Sequence, residues 1–200
     1  MNYPDPMCNL IECFKKLPGV GEKTAERMML SVMNFNDETI EMFSNSIKDV
    51  KNKVKYCEIC NNYSDSDICS ICRDEKRNGK IICVIEDAKY SILFEKMGSF
   101  NGKYHVLNGL ISPLDGVGPD DINISKLIDR IDREQISEII LAVKPSVEGE
   151  TTSLYISRLL NGKNVKVTKI AHGVPLGADI DYIDTLTLEL AIEDRQEIIS

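Results

Sequence analysis

Cys57-Glu58-Ile59-Cys60-Asn61-Asn62-Tyr63-Ser64-Asp65-Ser66-Asp67-Ile68-Cys69-Ser70-Ile71-Cys72 separates an N-terminal third of the chain from a longer C-terminal part. Two C-x-x-C pairs flank a short polar loop, the spacing of a tetrahedral zinc site. Each pair forms a knuckle that aims two thiolates at one point, and the loop Asn61–Ile68 lets the second knuckle fold back on the first. Paired disulfides would need an oxidising compartment, and a redox motif would use a lone pair. Four thiolates fill a tetrahedron and leave no position for water. The expectation is one Zn2+ with a structural role, held by Cys57, Cys60, Cys69 and Cys72. A segment this small has little core, so the metal should supply much of its folding energy.

Towards the N-terminus, Met7, Leu10, Ile11, Phe14 and Leu17 form a helical stripe over residues 7–17 that stops at Pro18. A second stripe, Ala25, Met28, Met29 and Val32, comes after Pro18-Gly19-Val20-Gly21. Two short helices around such a turn read as a helix–hairpin–helix. Gly19 and Gly21 can take positive φ and carry no side chain to hold a ligand away. The second helix then starts with free backbone N–H groups and the positive end of its dipole, a phosphate-binding arrangement. Lys23 and Arg27, four apart, share one face and add two cations. Contacts to phosphate alone are blind to base sequence. A nucleotide P-loop is excluded, because Glu22 stands where that motif needs Gly before Lys23. Asn36 or Asp37 can cap a longer helix with a narrow apolar face of Ile40, Phe43, Ile47, Val50 and Val54. That face could pack on the first helices or on a neighbouring subunit.

Towards the C-terminus, Arg73–Lys80 reads as a charged, solvated linker, after which strand and helix alternate. Ile81–Ile85 is an unbroken β-branched run suited to a strand buried on both faces. Tyr104–Leu107, Ile139–Val143 and Val165–Ile170 are the further strands. Helices are expected over Ala88–Lys96, around Ile124–Ile131, over Thr151–Leu160 and over Leu186–Ile192, with a loop at Gly109–Asp121. This alternation predicts an α/β fold, a parallel sheet flanked by helices. Ligands of open α/β sheets collect at strand carboxyl ends. Glu86 and Asp87 follow the first strand, and Glu148 and Glu150 follow the third, so these acids could jointly hold Mg2+. Equally, Glu148 and Glu150 could serve only the start of the next helix.

Composition limits the alternatives. The 200 residues carry a net charge of −8, which speaks against a broad basic nucleic-acid surface. Residues 1–80 hold 12 Lys+Arg against 13 Asp+Glu, and the remainder 12 against 19, so phosphate contact is expected from the N-terminal part. No apolar run approaches the ~20 residues of a membrane span, and no basic-then-apolar leader opens the chain. A cytoplasmic protein with reduced thiols is expected, with Cys8, Cys13 and Cys83 filling core positions among apolar neighbours.

The order of parts, with LPGVGEKTAERM (17–28), the four cysteines, IICVIED (81–87), LNGLISPLDGVGPDDI (107–122), VKPSVEGETTSLYI (143–156) and AHGVPLGADIDY (171–182), resembles the bacterial RecR family of recombination mediators. The resemblance covers essentially the whole chain. It implies a helix–hairpin–helix DNA-binding region over 1–55, a four-cysteine zinc finger over 56–73, a Toprim sheet domain over 80–172 and a C-terminal strand/helix segment over 173–200 that makes an oligomer contact. It further implies a non-enzymatic protein of recombinational DNA repair that binds single- and double-stranded DNA with little sequence preference. As family properties, it would form a homotetrameric ring or clamp and act with RecO and RecF to load RecA at gaps. By position, Lys23 and Arg27 match the family's basic pair, and Glu86 the Toprim glutamate. Catalytic Toprim domains carry Asp-x-Asp after the strand equivalent to Ile139–Val143, where this chain has Lys144-Pro145-Ser146. The family usually has Asn-Pro-Thr there, and a lysine cation opposes Mg2+. The competing expectation is a Mg2+-dependent Toprim nuclease or primase-like enzyme using Glu86, Glu148 and Glu150.

Overall fold

The computed structural model describes residues 3–171, 173–195 and 197. Met1, Asn2, His172, Gln196 and residues 198–200, which the expected 1–55, 80–172 and 173–200 regions include, lie outside them. The chain divides into two compact units between Val54 and Lys55.

The first unit holds three helices: α1 (Asp5–Lys15), α2 (Glu22–Val32) and α3 (Asp37–Lys53). Helix α1 opens with Pro6 in its first turn, where no backbone donor is needed. It ends at Lys15 rather than at Leu17. Residues 16 and 17 close it with N–H bonds to the carbonyls of Cys13 and Phe14, because Pro18 disfavours helical geometry in the residue before it. Ile11 packs against Ala25 and Met29, with Met7, Leu10, Phe14 and Val20 around them. Cys13, expected in the core, is exposed, and Cys8 is half-buried; only Cys83 behaves as core filler. Of the two candidate caps, Asn36 closes the start of α3, its side-chain oxygen accepting from the N–H of Thr39 at 2.8 Å. No residue of α3 is buried.

The second unit opens with a two-stranded ribbon, β1 (Lys55–Tyr56) and β2 (Tyr63–Ser64), and the one-turn helix α4 (Ser70–Arg73). There follow β3 (Ile81–Ile85), α5 (Lys89–Met97), β4 (Lys103–Val106), α6 (Ile124–Glu134), β5 (Glu138–Ala142), α7 (Val147–Leu159), β6 (Lys166–Lys169) and α8 (Thr185–Glu193). Strands β3 to β6 form an all-parallel sheet in the order β4-β3-β5-β6. Ile82, Val84, Ile139 and Leu141 face one layer, where they meet Leu127 and Ile131 of α6 and Ile156 of α7. Cys83, Ile85, Tyr104 and Val106 face the other, with Tyr90 and Phe94 of α5, Phe100, and Ile71 from α4.

Further details depart from expectation. Helix α7 starts at Val147, four residues early, because Ser146 caps it by accepting from the N–H of Gly149 at 3.2 Å. The segment 73–80 is not simply solvated. Arg77 is folded down with its side chain 16% exposed, bound to the Glu95 carboxylate and donating to the carbonyl of Gly102 at 3.1 Å. The expected loop 109–121 contains 3-10 turns at Pro113–Asp115 and Pro119–Asp121 and a bridge between Ser112 and Val117. Among the described residues beyond 172 there is a 3-10 turn, Ile180–Tyr182, and helix α8, and no strand.

Candidate metal centre and nucleic-acid interface

The ribbon β1–β2 builds the first knuckle. The N–H of Cys57 donates to the carbonyl of Asn62 at 2.7 Å and that of Asn61 to the carbonyl of Cys57 at 2.8 Å. Asn61 takes the left-handed conformation (φ 60°) that turns the chain here, one that Asn tolerates better than most residues. The second knuckle is the start of α4, where the N–H of Cys72 points at the Cys69 sulfur at 3.4 Å. The N–H of Cys69 donates to the Cys57 sulfur at 3.3 Å, joining the two knuckles. Backbone donors thus aim at sulfurs that are to be anionic.

All four sulfurs are buried and lie within 4.8 Å of one another. A tetrahedron with Zn–S of ~2.3 Å requires sulfur separations of roughly 3.8 Å, and Cys60 and Cys69 stand 3.6 Å apart. The donor set therefore fits the ion. Metal-free, the cluster shares protons unevenly. Hydrogen bonding to Cys69 and Cys72, together with burial, pushes the Cys60 thiol far up, while Cys69, accepting from Cys60 and Cys72, is pulled well below the ordinary thiol range. A divalent cation is what lets all four be thiolates at once.

This finger is docked on the sheet through polar contacts. The carbonyl of Cys60 accepts from the N–H of Val106 on the outer edge of β4 at 2.8 Å. Lys103 Nζ donates to the carbonyl of Cys72 at 2.9 Å, and the buried Asn62 amide donates to Ser91 Oγ of α5 at 3.0 Å.

In the first unit, Gly19 adopts φ +79° as the hairpin requires, whereas Gly21 sits at φ −82° and serves instead as the N-cap of α2. The freedom expected at both glycines is used at one. No side chain caps α2, which leaves N–H groups of its first turn directed at solvent. Lys23 and Arg27 are on this helix, and neither joins an ion pair among the described residues. Lys15, by contrast, is engaged by Glu12 at 2.7 Å.

The expected acidic site comes together only in part. Glu86, Asp87 and Glu148 line one cavity of about 600 Å³ with Asp115, Asp121 and Lys144. Glu150 lies elsewhere, facing Lys169 at 3.3 Å. Each acid has its own partner. Glu86 accepts from the N–H of Lys144 at 3.4 Å, Asp87 from the N–H of Lys89 at 2.9 Å, and Glu148 from the hydroxyl of Ser146 at 2.7 Å. That last bond holds the Glu148 carboxyl below its usual range. Among the described residues, the four cysteines are the group of His, Cys, Asp and Glu side chains whose ligand atoms converge for a metal. The four expected carboxylates thus divide, three lining this cavity and Glu150 facing Lys169.

Family models match the chain in sequence order: a RecR helix-hairpin-helix over residues 7–51, a RecR four-cysteine zinc finger domain over 54–74, a Toprim domain over 80–171 and a RecR C-terminal region over 173–196. The chain belongs to the RecR family. The helices, cysteine cluster, parallel sheet and terminal helix match the RecR layout, and the four-cysteine site is the RecR zinc finger with one structural Zn2+. RecR membership carries a role in recombination and repair. No helix among the described residues is long and apolar enough to cross a membrane.

Sequence reasoning missed two features of the RecR finger region. Arg77 anchors its C-terminal flank, and the tyrosines that border the first knuckle, Tyr56 and Tyr63, are stacked on one another. The second carried a signal, an aromatic residue on each side of the Cys57–Asn62 turn.

Proposed function

We propose that this protein is a non-enzymatic DNA-binding recombination mediator of the cytoplasm, assembling as a homotetrameric ring or clamp and acting with RecO and RecF to load RecA at gaps. The observation that carries the DNA-binding reading is the hairpin. An uncapped helix start, a positive-φ glycine and two cations one turn apart form a phosphate-directed surface on a chain of net charge −8. Gly19, Gly21, Lys23 and Arg27 make the contact, within a DNA-binding region spanning 1–55. The finger (56–73), the Toprim sheet (80–172) and the C-terminal segment (173–200) supply rigidity, partner contact and self-association. Self-association is supported by apolar side chains left in water: Ile47 and Val50 on α3, and Leu176, Tyr182 and Leu186 beyond the sheet.

The test is Lys23→Ala with Arg27→Ala. Affinity should fall for every DNA sequence, and the slope of log K against log salt should flatten by about 1.4 for single strands and about 1.8 for duplex, two phosphate contacts' worth. An unchanged slope places the contact elsewhere.

The enzyme reading rests on the cavity bearing Glu86, Asp87 and Glu148. Metal-dependent cleavage requires carboxylates clamping an ion against attacking and leaving oxygens, and Lys144 stands where the paired aspartates would. Cutting of DNA in Mg2+ that Glu86→Gln abolishes would overturn the mediator reading.

A further inference from the structure

Tyr56 and Tyr63 face each other across the finger's ribbon, ring centroids 5.8 Å apart and planes inclined by 27°. They are 51% and 47% exposed. Among the described residues neither hydroxyl has a hydrogen-bond partner, and no third ring or cation stacks on either. A cross-strand aromatic pair stabilises a ribbon, but this ribbon has two residues per strand and is already closed by the metal. Tyr56 directly precedes the ligand Cys57, whose N–H is bonded to Asn62. The N–H of Tyr63 donates to the side-chain oxygen of Asn62 at 2.9 Å, and Asn62 is pinned to Ser91. The backbone that carries both rings is therefore held in place and the rings rest on one another, which lowers the ordering cost of a contact.

We infer that the Tyr56–Tyr63 pair is a stacking platform for an unpaired nucleobase of single-stranded DNA. The inference rests on the DNA-binding reading and adds to it a strand-selective contact outside the hairpin. A base in duplex DNA keeps its faces inside the stack, whereas an unpaired base has a π-face free to lie on a ring, with no need for sequence readout. Lys55, the residue before Tyr56, is paired to Asp67 at the surface. Exposed pairs of this kind are weak, so its ammonium can exchange to a neighbouring phosphate. The hairpin thus supplies backbone contacts common to both forms of DNA, and the finger supplies discrimination for gaps.

The experiment uses the zinc-loaded full chain with labelled oligo-dT and a labelled blunt-ended duplex. Tyr56→Leu with Tyr63→Leu keeps an apolar cross-strand pair and removes the π-faces. Affinity for oligo-dT should drop about tenfold with duplex binding unchanged, and the double Phe variant should behave as the parent. In the parent protein, 5-iododeoxyuridine placed in the oligonucleotide should crosslink on irradiation to Tyr56 or Tyr63. This readout does not depend on how well the variants fold. Equal single-strand affinity in the Leu variant, or crosslinks mapping only to other residues, overturns the platform. If the Lys23/Arg27 variant loses DNA while the Leu variant loses nothing, only the platform falls. If the parent binds neither DNA, both readings fall.

Discussion

The backbone N–H of Val106 donates to the carbonyl oxygen of Cys60, 2.8 Å away. Val106 lies on β4, the outermost strand of a parallel sheet, and its outward N–H has no strand to pair with. Open sheet edges invite pairing with other chains and are normally covered. Here the cover at Val106 is a zinc ligand's own peptide group, which ties this part of the edge to the metal site. One residue on, the N–H of Leu107 turns inward to the carbonyl of Ile85.

Removing the metal should therefore uncover β4. Chelation, or Cys60→Ser, should speed amide exchange at Val106 strongly while Leu107 stays protected. Several kcal/mol lost at about 2–4 °C per kcal/mol predicts a fall in Tm of roughly 10 °C. Hydrogen exchange with and without zinc, read beside a thermal melt, decides it. A Val106 amide indifferent to zinc would mean the edge is covered by something else.

Arg77 offers a second check on how the finger's flank is held. Its guanidinium grips Glu95, which also accepts from the hydroxyl of Tyr104 at 2.7 Å. Burial alone would push Glu95 up, but hydrogen bonds from Arg77 and Tyr104 pull its carboxyl below the usual range. Arg77→Ala strips the carboxylate of its charged partner and frees the carbonyl of Gly102. The expected cost is about 1–3 kcal/mol in urea unfolding, with Arg77→Lys recovering only part of it, because one ammonium does not reproduce the fork.

Much of this architecture is legible in the sequence. The run Ile81–Ile85 announces a doubly buried strand, and the cysteine spacing announces the metal, because both are dictated by residues close in sequence. The hidden features depend on longer reach. Arg77 looks like one charge among many, since its partner is 18 residues away and on a helix. The acidic site turns on a helix boundary. A helix expected over Thr151–Leu160 leaves Glu148 and Glu150 together in the segment before it. Capped by Ser146, the helix begins at Val147 instead, and residues two apart on a helix diverge. Glu148 therefore reaches the cavity and Glu150 reaches Lys169.

That boundary makes Gly149 a sharp target. A Cβ there would stand 2.0 Å from the carbonyl oxygen of Lys144 and 3.2 Å from its carbonyl carbon. These are backbone atoms just past the end of β5 and cannot swing aside. Gly149→Ala should cost more than about 3 kcal/mol or displace the start of α7. Urea unfolding measures the first, and a shift of the Glu148 resonance in the NMR spectrum the second. A variant as stable as the parent with that resonance unmoved would contradict this packing.

His105 links the fold to pH. It is wholly buried on β4, its Nε2–H donating to the carbonyl of Asn123 at 2.9 Å, with no partner at Nδ1. Burial pushes its pKa down to about 4, assisted by the cations Arg130 and Lys126, against the ordinary 6.5. Arg130, 1% exposed, donates from Nη1 to the carbonyl of Tyr104 beside it and from Nε to Glu134. With the folded pKa depressed, the unfolded chain takes up the proton first. Stability from this group is complete above about pH 6.5, declines as pH falls, and is exhausted near pH 4, a loss on the order of 3 kcal/mol. Carboxylates held low, such as Glu95, add loss in the same direction at the acid end. The comparison that isolates His105 is therefore the difference between parent and His105→Asn in urea unfolding from pH 7 to pH 4.5. The variant should be less stable at pH 7, with the gap narrowing as pH falls. Parallel curves would mean that His105 does not titrate in this window.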